Sequence, residues 1–277
     1  MASELRKRTI SAIVLAAVVL AATVIGGVPF SIVAALIALL IYHEWSTITN
    51  LPERHFKANA FGWLIVALIA GDLVFGDGDL AMGLLSGGTI TAVLVVIFSR
   101  GTWWLPGGIF YAGLSGISLA AIRGDNQAGL VATLFIFAVV WGTDIFAYFI
   151  GRAIGGPKLA PRISPGKTWS GAIGGAVVGV GASALLTLGV FSRLSLMTTA
   201  IAFLLSVASQ CGDLFESFIK RRFGKKDSGH IIPGHGGVMD RVDGLVFACF
   251  LAFLLTLADA AMKSHAAPSV AGFLFGF

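Results

Sequence analysis

The 277 residues are 57% hydrophobic and 12% charged, with a mean hydropathy of +0.91. A soluble domain carries about twice that charged fraction, so a water-soluble globular protein is excluded. The net charge of +5 would suit nucleic acid. The cations flank apolar runs instead, which favours a membrane face that meets anionic headgroups and nucleotide phosphates, and no nucleic acid. Cys211 and Cys249 lie in or beside apolar runs and offer neither a disulfide framework nor a metal spacing.

Arg6-Lys7-Arg8 opens the chain ahead of an apolar run from Thr9 to Val28. The run is too long for the core of a signal peptide and no clean cleavage site follows, so it reads as a retained first span. Nine spans are predicted, at 9–27, 29–48, 59–76, 80–99, 106–122, 128–150, 170–191, 194–213 and 241–262. The fifth is the weakest, being short and Gly-rich. The expected fold is an all-α, polytopic integral membrane protein, with 36 glycines that allow close helix packing. With the N-terminus cytoplasmic, sixteen of the nineteen Lys and Arg fall on the inner side. The outer ends carry Asp72, Asp77, Asp79, Asp125 and Asp259. Residues 1–105 form an N-terminal set of about four spans, and 106–277 form the catalytic region. That region has two basic, Gly- and Pro-rich inner loops, 151–169 and 218–240, long enough to hold structure.

Charge is concentrated in residues 209–243, which hold six Lys or Arg, the five acids Asp213, Glu216, Asp227, Asp240 and Asp243, and His230 and His235. Asp213, Glu216 and Lys220 are spaced i, i+3, i+7 and share one helical face. Asp240 and Asp243 are again i, i+3, at the start of the last span. Stabilisation by the helix dipole is the structural alternative for that pair. Oxygen donors without a Cys–His cluster suit a hard cation such as Mg²⁺, which takes one or two carboxylates plus substrate phosphates. The basic, Gly-rich loop supplies phosphate donors. A headgroup-binding loop without chemistry is the blander reading.

Asp144 lies in the sixth span, about 10 Å below the inner surface at roughly 1.5 Å per residue. A carboxylate there must face a polar cavity, a metal or a cation, and Arg152 is a structural partner within reach. Tyr148 is one turn further on the same face. His43 and Glu44, at the inner end of the second span, read as interfacial residues. Gly166-Lys167-Thr168 lacks the preceding glycine of a P-loop and follows no strand, so a P-loop is rejected. Ser164, Lys167 and Thr168 still stand where a phosphate or base would meet a helix N-terminus.

At these residues the chain resembles the phosphatidate cytidylyltransferase (CDP-diacylglycerol synthase) family. The likeness rests on the run from Ser217 to Asp243, on Gly212-Asp-Leu-Phe-Glu216, on Asp144-x-x-Ala-Tyr148 and on Ser164-Pro-x-Lys-Thr-Trp169. Gly166 departs from the pattern, standing where a second basic residue is expected. The resemblance implies transfer of a cytidylyl group from CTP to phosphatidic acid in the lipid bilayer, with Mg²⁺ (and room for a second cation), and a homodimer. It places the protein in the cell's inner (plasma) membrane with a cytoplasmic active site. The implied catalytic set is Asp144, Asp213, Glu216, Lys220, Arg221, Lys226, Asp227, His235, Asp240, Arg241 and Asp243, with Asp213 and Asp240 on the metal. Ser164, Lys167, Thr168 and Tyr148 would bind substrate. A transporter, or a CTP-dependent membrane kinase releasing CDP, is the rival reading.

Overall fold

The structure is a computed structural model. It describes residues 2–76, 78–232, 236–263 and 269–276, with side chains from residue 13 onward. His235 and Asp77 lie outside the described residues, as do the side chains of Arg6, Lys7 and Arg8. The chain divides into two compact units, one of residues 1–120 and 222–241, the other of 121–221 and 242–277.

The first unit holds α1 (Ala2–Ile25), α2 (Gly27–Ile48), the single turn α3 (Leu51–Arg54), α4 (Phe56–Phe75), α5 (Ala81–Ser99) and nearly all of α6 (Trp104–Arg123). Apolar runs of this length become helices in lipid because each backbone N–H and C=O must bond within its own segment. The Gly-rich fifth span, the weakest by sequence, is the most enclosed of the described spans. On α6, Leu105, Ile109, Ala112 and Leu114 are all buried. A Cβ on Gly108 would stand 2.5 Å from the Trp45 ring, on Gly113 2.8 Å from Leu85, and on Gly116 3.1 Å from Ala38. The missing side chains admit α2 and α5 to within van der Waals reach. Trp45 Nε1 also donates to the Trp104 carbonyl at 2.8 Å.

The second unit holds α7 (Gln127–Ile154), an antiparallel hairpin of β1 (Lys158–Ala160) and β2 (Ser164–Thr168), α8 (Trp169–Phe191), α9 (Leu196–Arg222) up to its last residue, most of α10 (Met239–Lys263), and α11 (Val270–Phe275). α7 and α8 meet along a seam of small residues. A Cβ on Gly171, Gly175 or Gly179 would fall within 2.6 Å of α7 backbone oxygens at Ala147, Thr143 and Val139. These glycines are four apart and form one stripe of α8. Thr143 Oγ1 bonds Ser206 Oγ at 2.7 Å, tying α7 to α9.

Each of the nine expected spans coincides with a long helix. Eight are long and apolar enough to cross a membrane; in α1 the described apolar part, Ile13–Ile25, is shorter. Three details differ from the sequence reading. α9 runs nine residues past Asp213, so the helical face expected for Asp213, Glu216 and Lys220 is present, the helix continues through Arg221 and Arg222, and the loop shrinks to 223–238. The loop before α8 contains a hairpin, and Gly166-Lys167-Thr168 lies inside its second strand. α11 was not anticipated; its Leu274 carbonyl accepts from Thr198 Oγ1 at 2.8 Å.

Candidate functional site

In the second unit, α9 and α10 approach closely at two glycines. A Cβ on Gly212 would collide with the Asp243 carbonyl and meet Phe247 at 2.9 Å, and one on Gly244 would lie 3.2 Å from the Ser209 carbonyl. Asp213 follows the first glycine and Asp243 precedes the second, so the acids are neighbours because the helices can touch there. Asp144 of α7 completes the group: its carboxyl feels the charges of Asp213 and Lys167, and Asp243 feels Asp213, Asp144 and Lys167. Asp144 is ten residues before the end of α7, about 15 Å along the helix. Lys167 of β2 pairs with Asp213. Asp243 Oδ1 accepts the Gly244 N–H at 2.9 Å. Among the described residues Asp144 makes no hydrogen bond or ion pair, and Arg152 turns to Tyr148, donating to its hydroxyl at 2.9 Å.

One turn beyond Asp213, buried Glu216 holds Lys220 at 2.6 Å. Thr168 is the N-cap of α8 and accepts the Gly171 N–H at 3.1 Å, so its hydroxyl shapes the hairpin-to-helix junction. Ser164 begins β2 opposite Ala160. Gly155 and Gly156, at φ +68° and +101°, turn the chain from α7 into this hairpin.

The first unit organises the loop 223–238 around two other carboxylates. Asp240 Oδ2 accepts from the Ser228 N–H and hydroxyl, both at 2.8 Å, and from the Gly237 N–H at 2.9 Å. Glu44 is 1% exposed. Its Oε1 accepts the Val238 N–H at 2.7 Å, and its Oε2 accepts the Met239 N–H at 2.7 Å and the Ser228 hydroxyl at 3.0 Å. Met239 opens α10 and Val238 immediately precedes it, so Glu44 caps that helix from a distant segment. Gly229 and Gly237 leave room for the carboxylate: a Cβ at either would stand 2.8 and 2.5 Å from Glu44 oxygens. Gly236 has φ +84°, which favours glycine.

The interfacial reading of Glu44 is therefore corrected: it is a buried capping group, and sequence inspection missed it. Its signal, an acid at the end of an apolar run, does not distinguish capping from exposure. Lys226, Asp227 and Arg241 are exposed on or beside the loop, as is Arg221 at the end of α9. Asp240 belongs to the first unit and Asp213 to the second, each with its own neighbours.

A helical membrane protein that sets carboxylates and lysines together at the ends of its spans has the equipment of an enzyme handling phosphates. Residues 6–258 match the Cytidylyltransferase family. The chain is 46% identical over 253 residues to the phosphatidate cytidylyltransferase of Brucella abortus, covering 91% of this chain and 93% of that one. It is 32% identical to the Haemophilus influenzae protein of the same name, over 88% of this chain and 96% of the relative. The Bacillus subtilis phosphatidate cytidylyltransferase is 41% identical over 154 residues, 53% of this chain and 55% of its own. The chain belongs to the cytidylyltransferase family.

Proposed function

We propose that the protein transfers the cytidylyl group of CTP to phosphatidic acid, giving CDP-diacylglycerol and pyrophosphate. The observation that carries this reading is the group Asp144, Asp213 and Asp243 around Lys167, in a chain whose relatives bear the name phosphatidate cytidylyltransferase. A phosphate oxygen of phosphatidic acid attacks the α-phosphorus of CTP. A new P–O bond forms as the bond from the α-phosphorus to the bridging oxygen breaks, and the electron pair leaves with pyrophosphate. The acceptor is already an anion, so no protein nucleophile is needed and catalysis is positioning plus charge neutralisation. Lys167 and Lys220 present ammonium groups to phosphate oxygens. Arg221 adds positive charge at the end of α9, and Tyr148 with Arg152 lines the exposed side of α7 near Asp144. For Lys226 and Arg241 a share in neutralising the triphosphate is what the family resemblance implies.

The donor set fits Mg²⁺. No group of three or more His, Cys, Asp or Glu forms a ready metal cage among the described residues. That suits a cation that completes its shell with substrate phosphates. Asp213 and Asp243 would hold it, with Asp144 beside them; Asp240, three of whose bonds secure the loop, is read as organising 223–238. When bound, the cation neutralises the triphosphate charge that builds on the leaving oxygens. The side of this cluster is read as cytoplasmic from the positive charge on the inner connections. A plasma-membrane location and a homodimer are further expectations from the family resemblance.

The test is incubation of purified protein in nanodiscs with labelled CTP and phosphatidic acid, with and without Mg²⁺. CDP-diacylglycerol and pyrophosphate are expected only with the cation; release of CDP instead would replace transfer of the cytidylyl group by kinase chemistry.

A further inference from the structure

A polar cavity of about 340 Å³ lies within the first unit. It is lined by Arg54 at the end of α3, His55 before α4, Arg222 at the end of α9, the Asn50 and Thr102 side chains, and two aromatic rings. No carboxylate lines it. Among the described residues the side chains of Arg54, His55 and Arg222 have no hydrogen bond or ion pair, whereas Lys167, Lys220 and Lys263 each hold an acid. Two unpaired guanidiniums and an imidazole from two segments, residues 54–55 and Arg222, line one small cavity with no acid among them, an arrangement that attracts an anion. The chemistry is also right for an oxyanion: two guanidiniums provide planar forks, and amide and hydroxyl groups provide neutral donors.

The cavity has a fixed wall. Trp104 is held through its carbonyl by Trp45 Nε1 at 2.8 Å and meets Phe223 edge to face, with ring centroids 5.0 Å apart. Phe223 is the first residue of the loop 223–238, so an occupant would brace the junction between α9 and that loop. A volume of about 340 Å³, against about 30 Å³ per water in the liquid, has room for a diphosphate or a phosphodiester headgroup but not for acyl chains.

We propose that this cavity, whose lining includes none of the acids assigned to the transfer reaction, binds a phosphate-bearing anion through Arg54, His55 and Arg222. The proposal does not depend on that reaction. Its test is native mass spectrometry of the full chain in detergent, titrated with inorganic pyrophosphate in one arm and dioctanoyl phosphatidylglycerol in another, with dioctanoylglycerol as the phosphate-free control. Wild type should retain one equivalent of pyrophosphate or of the phosphatidylglycerol that is weakened about tenfold by Arg54→Gln, and further by adding Arg222→Gln. The arm that responds identifies a free or a lipid-borne phosphate. Arg54 is exposed and unpaired, so the single variant should keep the wild-type melting temperature and decides the matter should the double variant misfold. Equal retention by wild type and Arg54→Gln in both anion arms, or equal retention of dioctanoylglycerol, would overturn the proposal.

Discussion

The first unit's carboxylates and the second unit's carboxylates are used in opposite ways. Glu44 and Asp240 accept from backbone N–H groups and the Ser228 hydroxyl. Asp144, Asp213 and Asp243 lie within electrostatic reach of one another and of Lys167, and receive one backbone N–H between them among the described residues. An acid whose lone pairs are taken by the main chain holds a shape. Acids gathered with few donors repel one another, and that repulsion is relieved by a cation or by a substrate that brings one. The contrast separates a scaffold for the loop from the acids assigned to the chemistry.

The largest effect is expected from the second group. Asp213→Asn or Asp243→Asn should lower CDP-diacylglycerol formation by at least about a hundredfold, with an unchanged size-exclusion profile. Full turnover by either purified variant would remove it from the catalytic set. Chelation should act on the same group: activity falls to background with EDTA and returns with excess Mg²⁺, while the melting temperature of the substrate-free protein moves little. A large shift in melting temperature on chelation would make the cation structural.

The scaffold acids should fail differently. Glu44→Ala leaves the buried Met239 N–H and the part-buried Val238 N–H at the start of α10 without that acceptor, at about 1–3 kcal/mol for the buried one and less for the other. The expected result is a lower melting temperature and faster proteolysis within 223–238, with activity lost in proportion to unfolding. An unchanged melting temperature would return Glu44 to the interface. Gly237→Ala should cost less, since its Cβ must displace Ser228 Oγ and a Glu44 oxygen but removes no acceptor; protease sensitivity of the loop is again the readout. The smallest effect belongs to an acid in neither group. Asp259 pairs with Lys263 at 2.9 Å, and the lysine is 59% exposed. Asp259→Asn should change stability by roughly 0.5 kcal/mol or less and leave turnover intact.

Much of this architecture is readable from residue order. The spans follow from apolar runs, and the spacing of Asp213, Glu216 and Lys220 shows a helical face, but Arg221 and Arg222 look like a loop when they are polar residues on a helix that outlasts its apolar part. Asp213 and Asp243 stand out as acids beside apolar stretches. Glu44 does not, because its partners lie 184 to 195 residues away in the chain. The hairpin is equally hidden: Pro and Gly around Lys167 signal a loop, and only the pairing of Lys158 with Thr168 makes it two strands.

The amino-acid order by itself determined that the chain is helical and membrane-borne, because burying an apolar run in lipid leaves its backbone no partner but itself. It also marked which residues carry charge. The tertiary structure alone decided what each charge does. Whether a carboxylate caps a helix or faces other acids depends on which distant segment comes within 3 Å of it, and small residues such as Gly212, Gly237 and Gly244 settle that by where they let backbones meet.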